Sequence, residues 1–304
     1  MNSKRHQEVA WILAGLLLVE LVGAIPLEAQ QDTESRIVGG YSALEASTRH
    51  QVSIRRRSSD EAVFGTGHIC GGSLIDNRTV LTAAHCLVDT LDRKRPADYF
   101  RVVGGNVNRY EQSPGTAIRT VGRVAVHERY NPKNFDNDVG LLILNEPVPA
   151  MHPALKPIAM ALKTPTSLTP CQTSGWGSTQ YGVSSGAREL RAVNVTIQQM
   201  ALCNGTSSYG GSLRAGMLCA GDFRGGQDAC QGDSGGPLVC DGALAGVVSH
   251  GYKCAEPRFP GIYVDVAYYR DWIEREIARN GAGSSWRVSG ISALGGVLIF
   301  FIVG

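Results

Sequence analysis

The sequence predicts an all-β fold ending in one helix, and three observations carry this. Apolar residues fall in short runs bounded by turn residues, glycine is abundant at 37 of 304 residues, and helical spacing stands out near the end. Gly72-Ser73-Leu74-Ile75, Thr79-Val80-Leu81-Thr82, Val139 to Leu144 and Ala245 to Ser249 suit strands and are too short for lasting helices. Tyr269, Trp272, Ile273, Glu276 and Ile277 recur at helical intervals with charges between them, giving a single C-terminal helix. The length supports a sizeable core, and no repeat or low-complexity linker divides the body further.

Charged residues are sparse and the net charge is only +2, which gives no reason to expect a nucleic-acid partner. Lys4 and Arg5 precede an apolar run, Val9 to Val19, followed by the small residues Gly23, Ala24 and Ala29. That order is a secretory signal peptide, residues 1–29, with cleavage after Ala24 or Ala29. Glu20 cuts the apolar run short of a membrane span. Eight cysteines then suit a disulfide framework in an oxidising compartment. Asn77, Asn194 and Asn204 head N-x-Ser/Thr sequons, which secretion would open to glycosylation.

The chemistry is concentrated in Asp228 to Leu238, Asp-Ala-Cys-Gln-Gly-Asp-Ser-Gly-Gly-Pro-Leu. A serine lies between glycines that can shape a tight turn, with two aspartates in fixed relation to it. Upstream, Leu81-Thr82-Ala83-Ala84-His85-Cys86 supplies a histidine and Asp136-Asn137-Asp138-Val139-Gly140-Leu141-Leu142 a buried-looking carboxylate. A serine is a weak nucleophile until a base takes its proton, so the three residue types belong together. A fourth segment, Arg36-Ile37-Val38-Gly39-Gly40, follows a short polar stretch, residues 30–36, too small to fold.

These four motifs, in this order, resemble the trypsin-like serine proteases of the chymotrypsin family, over roughly residues 36 to 279. The resemblance implies two packed six-stranded antiparallel β-barrels with a C-terminal helix over residues 37–279, and an active site in the cleft between them. It implies His85 as general base, Asp138 as its orienting carboxylate and Ser234 as nucleophile. The backbone N–H groups of Gly232 and Ser234 would hold the oxyanion. It also implies a zymogen: cleavage after Arg36 frees the amine of Ile37, which ion-pairs with Asp233 and orders the oxyanion turn. A buried carboxylate is costly until a charge meets it, and activity should fall at high pH as that amine titrates. The family's disulfide pairs map to Cys70–Cys86, Cys171–Cys240, Cys203–Cys219 and Cys230–Cys254, leaving none to tether the propeptide.

Two rival readings draw on the same residues. Gly232-x-Ser234-x-Gly236 also fits the nucleophile elbow of α/β-hydrolases, but there the acid and histidine follow the serine. Only His250 lies downstream, and no alternating strand-helix pattern does. A non-enzymatic homologue with a broken site would lose the serine or the histidine, and this chain keeps all three catalytic residue types.

The resemblance places Asp228 at the base of the primary pocket and Gly251 and Gly261 in its walls, which selects arginine or lysine before the cut bond. Ala229 lacks a hydroxyl to assist an ammonium, a modest lean toward arginine. Ser249 and Gly251 would pair with the substrate backbone. The chain departs from the family at Ser249-His250-Gly251, where the middle residue is usually tryptophan. Gly105 stands where the first carboxylate of the family's calcium loop is found, so neither calcium nor another metal or cofactor is expected.

After Arg279 come small and polar residues, Asn280-Gly281-Ala282-Gly283-Ser284-Ser285, then Trp286-Arg287 and an apolar end, Ile291 to Val303. Thirteen residues at about 1.5 Å rise reach roughly 20 Å, short of a roughly 30 Å bilayer core. The pattern over 280–304 is that of a GPI-attachment signal, the one route to a membrane; a marginal anchor or a plain hydrophobic extension are its alternatives. Arg55-Arg56-Arg57 and Arg93-Lys94-Arg95 border the cleft in the family and could form a basic exosite or be sites of autolysis. The partners expected are substrates with Arg or Lys at the cleavage position, an activating trypsin-like protease and serine protease inhibitors.

Overall fold

The computed structural model describes residues 38–178, 181–182 and 186–282. The first half is a closed antiparallel barrel of β2 (Gln51–Arg56), β3 (His68–Leu74), β4 (Thr79–Thr82), β7 (Gly140–Leu144), β6 (Ala117–Val126) and β5 (Phe100–Gly104), in that spatial order. Closure removes the sheet edges that an open sheet would leave unpaired. β4 and β7 are buried along their whole length, which is why both read as continuous apolar runs rather than alternating ones.

The second half is a seven-strand antiparallel sheet. Its order is β1 (Tyr41–Ser42), β9 (Arg191–Thr196), β8 (Pro170–Gly175), β11 (Pro237–Cys240), β12 (Ala243–His250), β13 (Gly261–Asp265) and β10 (Met217–Ala220). A bridge between Ile197, just past β9, and Ala220 of β10 joins the sheet's ends. Six strands therefore curl into the second barrel through one bridge, with the two-residue β1 appended outside on β9.

The C-terminal helix, α3 (Val266–Ala282; α1 and α2 are short and follow below), packs back onto the first half. Val266, Tyr269, Trp272 and Ile273 join the core cluster that fills the first barrel, together with Leu244, Val247 and Val264 of the second. Trp272 donates its indole N–H to Glu128 at 2.9 Å, and Arg123 pairs with the buried Glu276 at 2.7 Å. Each such large apolar side chain contributes about 1.5–3 kcal/mol on burial, far more than intrinsic helix propensity.

A short helix, α1 (Arg57–Ala62), interrupts the β2–β3 connection, where the residues carry no helical periodicity. It forms because Asp60 turns inward to buried charges: it accepts from Arg55 at 2.7 Å, Arg101 at 2.9 Å and the Gly65 amide at 2.9 Å. α2 (Met200–Cys203) is a single turn. Four disulfides, Cys70–Cys86, Cys171–Cys240, Cys203–Cys219 and Cys230–Cys254, use every cysteine. No helix among the described residues is long and apolar enough to cross a membrane.

Specific hydrogen bonds between the halves add to that shared core. Ser174 of β8 donates to Gln51 Oε1 of β2 at 2.6 Å, and Gly71 of β3 donates its N–H to the Ser234 carbonyl at 2.8 Å. The second of these ties the first barrel to the turn that carries the candidate nucleophile.

Candidate active site

His85 lies in a single 3-10 turn, Ala84–Leu87, that follows β4 directly and is anchored by the Cys70–Cys86 disulfide. Asp138 sits two residues before β7, which pairs with β4, so strand pairing brings the two side chains together. The His85 amide donates to Asp138 Oδ1 at 2.8 Å and the imidazole Nδ1 donates to Oδ2 at 2.8 Å. Ser249, at the end of β12, donates its hydroxyl to the same Oδ2 at 2.6 Å. Burial pushes the His85 imidazole down, but the charge and hydrogen bond of Asp138 outweigh it and hold it above its ordinary pKa. A neutral imidazole in this setting leaves Nε2 without a proton and able to accept one.

Ser234 belongs to a turn that only glycines on either side permit. Gly232 and Gly235 hold φ of 96° and 76°, in the left-handed region. A side chain on Gly235 would stand 2.1 Å from the Thr82 hydroxyl and 3.3 Å from the Ala83 amide. The serine's turn is thus packed directly against the residues that lead into His85. Asp233 is fully buried, accepting from the Gly177 amide at 2.8 Å and the Cys230 amide at 2.9 Å. Burial pushes its carboxyl up to about 6 despite those two donors.

A cavity of about 270 Å³ opens beside Ser234, lined by Asp228, Ser249, Gly251 and Gly261 among others. Asp228 is 4% exposed, with one oxygen accepting from the Ala255 amide at 3.0 Å. Burial pushes its carboxyl up to about 7, aided by the nearby charge of Asp233. A side chain on Gly261 would reach to 2.6 Å from Asp228 Oδ1 and close the route to it, whereas Gly251 has nothing nearer than 3.7 Å. The Cys230–Cys254 disulfide joins the two segments that form the cavity walls.

Two residues at this site carried no legible signal in the sequence. His68 donates Nε2–H to the Gly232 carbonyl at 3.0 Å while Nδ1 accepts from Ser53 at 2.8 Å. It fixes the turn that bears the candidate oxyanion amides, and burial holds it neutral, with its pKa pushed down to about 3. Phe135, at a positive φ of 55°, meets the His85 ring edge-on and stacks flat on His250 at 4.7 Å. The only hint was position: His68 lies two residues before Cys70, and Phe135 three before Asp138.

Other expected residues fall elsewhere. Arg55 is corrected out of any basic exosite: it is 2% exposed and committed to Asp60 and the Arg109 carbonyl. A guanidinium that must meet a buried carboxylate cannot also meet a partner. Arg56 instead leans on Tyr99, and Arg95 lies over the same ring at 4.3 Å. Asn77 and Asn194 are exposed, while Asn204 is half-buried and bonded through its amide to both backbone groups of Leu213. Arg36, Ile37, the signal segment and residues 283–304, which include the apolar end Ile291 to Val303, lie outside the described residues.

With this geometry in view, comparison with known proteins is decisive. The family model described as Trypsin matches residues 37–273. The chain belongs to the trypsin family. It is 40% identical over 267 residues to Trypsin eta of Drosophila melanogaster, covering 87% of this chain and 97% of that protein. It is 35% identical over 266 residues to Trypsin-1 of Salmo salar, covering 88% and 99%, and 33% identical over 268 residues to Cationic trypsin-3 of Rattus norvegicus, covering 88% and 100%. It is a trypsin-like serine endopeptidase, a hydrolase acting on peptide substrates.

Proposed function

We propose that this trypsin-like endopeptidase cleaves after arginine or lysine and is made as a secreted zymogen. The observation that carries the reading is Asp228, a buried carboxylate in the lining of a cavity that Ser234 also lines. A carboxylate desolvated without a cation is unfavourable, and a substrate guanidinium or ammonium supplies the missing charge. Glycines 251 and 261 leave room for a long side chain to reach it.

In the mechanism, His85 Nε2 takes the Ser234 proton as Oγ bonds to the substrate carbonyl carbon. The carbonyl π electrons move onto oxygen, and the Gly232 and Ser234 amides receive that oxyanion, a stabilisation of about 3–4 kcal/mol per donor. Asp138 holds the imidazole in the Nδ1–H tautomer and offsets its positive charge. Collapse expels the amine, which leaves with the proton from His85, and forms the acyl-enzyme. Water, deprotonated by the same histidine, then attacks, and Ser234 leaves with its proton restored.

The switch in this reading is cleavage after Arg36. The new Ile37 amine pairs with Asp233, and the carboxylate, now compensated, keeps the Gly232–Ser234 turn set. The raised pKa of Asp233 supports a site that awaits a cation. Secretion through residues 1–29, removal of 30–36, a lipid anchor attached near Asn280 to Ser285, and control by serine protease inhibitors complete the proposal.

The test is hydrolysis of matched arginyl, lysyl and phenylalanyl peptide amides, before and after trypsin treatment, alongside Ser234→Ala. Activity that appears on cleavage, favours the basic substrates and vanishes in the variant is expected. An inactive chain with a verified Ile37 N-terminus would overturn the zymogen and pocket assignments together.

A further inference from the structure

The hydrogen bonds around Asp138 extend one residue further than its immediate donors. Ser249 has a single hydroxyl proton, and its 2.6 Å contact with the carboxylate, which can only accept, consumes it. The 3.1 Å contact between Ser249 Oγ and His250 Nδ1 must therefore be donated by the imidazole. That fixes His250 as the Nδ1–H tautomer. Its ring is held flat against Phe135 at 4.7 Å, and Phe135 in turn meets the His85 ring at 5.7 Å. His250 thus touches the catalytic group by two routes, a hydrogen-bond chain and an aromatic stack.

We propose that His250 is a positioning residue for catalysis, acting through Ser249 on Asp138 and so on the basicity of His85. The inference rests on the trypsin-like mechanism above and deepens it. A donor on Ser249 Oγ makes that hydroxyl a stronger donor in turn, because hydrogen bonds in a chain polarise one another. The carboxylate is held in line and carries less free charge toward His85. An indole or phenyl ring at position 250 offers no donor at the Nδ1 site and leaves Ser249 with one bond fewer.

The charged neighbours that bear on His250 are Asp138, which favours its protonated form, and His85, which opposes it; Lys253 and Asp228 line the same cavity. Burial keeps His250 neutral, its pKa pushed down to about 4, so the Nδ1–H donor is present without a charge at neutral pH. Removing it makes Asp138 a stronger acceptor for the His85 proton. The acid limb of the activity profile, which reports His85, then moves to higher pH.

Two substitutions separate the two routes. His250→Phe keeps the stack and loses the donor; His250→Asn places an amide N–H where Nδ1–H was and loses the stack. Each is assayed in the activated enzyme on a blocked single-residue arginyl amide, which has no side chain ahead of the arginine to meet position 250. His250→Phe is expected to lower kcat about 3- to 10-fold, the range of one net hydrogen bond, with KM little changed. Its acid limb should rise by about half a pH unit, while His250→Asn keeps the wild-type limb. In a Ser249→Ala background His250→Phe should have no further effect on the limb. Equal limbs for wild type and His250→Phe, a shift in His250→Asn alone, or additive shifts in the Ser249→Ala background would each overturn the proposal. Wild-type activity on the same amide establishes the underlying reading separately, and matching thermal melts exclude misfolding.

Discussion

The two sides of the candidate site treat a buried aspartate in opposite ways. Asp138, from the first barrel, receives the His85 amide, the His85 imidazole and the Ser249 hydroxyl, all from within the chain. Asp228 and Asp233, from the second half, receive backbone amides but form no ion pair with any described residue, and burial drives both toward neutrality. One carboxylate is complete in the folded chain. The other two have no charge partner among the described residues; in the function proposed above, a substrate cation would meet Asp228 and a new chain end Asp233. In that reading the catalytic machinery is built in, whereas binding and activation are left as unbalanced charge.

The largest effect that would break this comparison is at the complete side. Asp138→Asn keeps the shape but presents an amide to His85, inverting the tautomer that leaves Nε2 as base. A fall of about 10,000-fold in kcat is expected, with KM for an arginyl amide nearly unchanged. Steady-state kinetics at pH 8 check it. A large rise in KM instead would mean that Asp138 serves binding, and the division of labour would fail.

At the incomplete side, Asp228→Ser should cost the arginyl substrate about 150- to 5,000-fold in kcat/KM, since a buried cation left unpaired costs about 3–5 kcal/mol. A phenylalanyl substrate should lose nothing, so the ratio of the two is the measurement. The same ratio sharpens the comparison through pH. With its carboxyl pushed up to about 7, Asp228 is protonated in the free enzyme below that pH. A cation binds the ionised form, so the arginyl-to-phenylalanyl ratio should fall as pH drops below 7, by at most about tenfold per unit. Titration of His85 affects both substrates and cancels. A flat ratio from pH 5 to 8 would show that the pocket carboxylate is already compensated.

The sequence made the site legible to the extent that chemistry is written in residue identity. His85, Asp138, Ser234 and Asp228 stand in distinctive local contexts, and the strand runs at 79–82 and 139–144 were readable because full burial makes them continuously apolar. What escaped depended on contacts across the fold. α1 has no apolar periodicity, because it is held by Asp60 facing Arg55 and Arg101 from β2 and β5. The same buried pairing turned Arg55 from a surface charge into a core residue. His68 acts through the carbonyl of Gly232, 164 residues away in sequence, and Phe135 through a stack on His250; neither distance is encoded locally.

The smallest expected effect concerns Asp233 and is read in stability. Its carboxyl is raised from an ordinary 3.8 to about 6 on folding, so between those pH values the folded state binds more protons than the unfolded. Stability of the uncleaved chain should therefore decline as pH rises from about 4 to 6 and level off above, by roughly 2–3 kcal/mol from this group. A protonated amine beside the carboxylate reverses the sign, because it lowers the folded pKa and stabilises the ionised form. Thermal melts of the uncleaved and cleaved chains, each from pH 4 to 7, should then converge at the acid end and separate toward neutrality, the cleaved form melting higher by several degrees. Parallel curves would mean that the carboxylate gains no charge partner on cleavage, and only Asp228 would remain as the unbalanced half of the site.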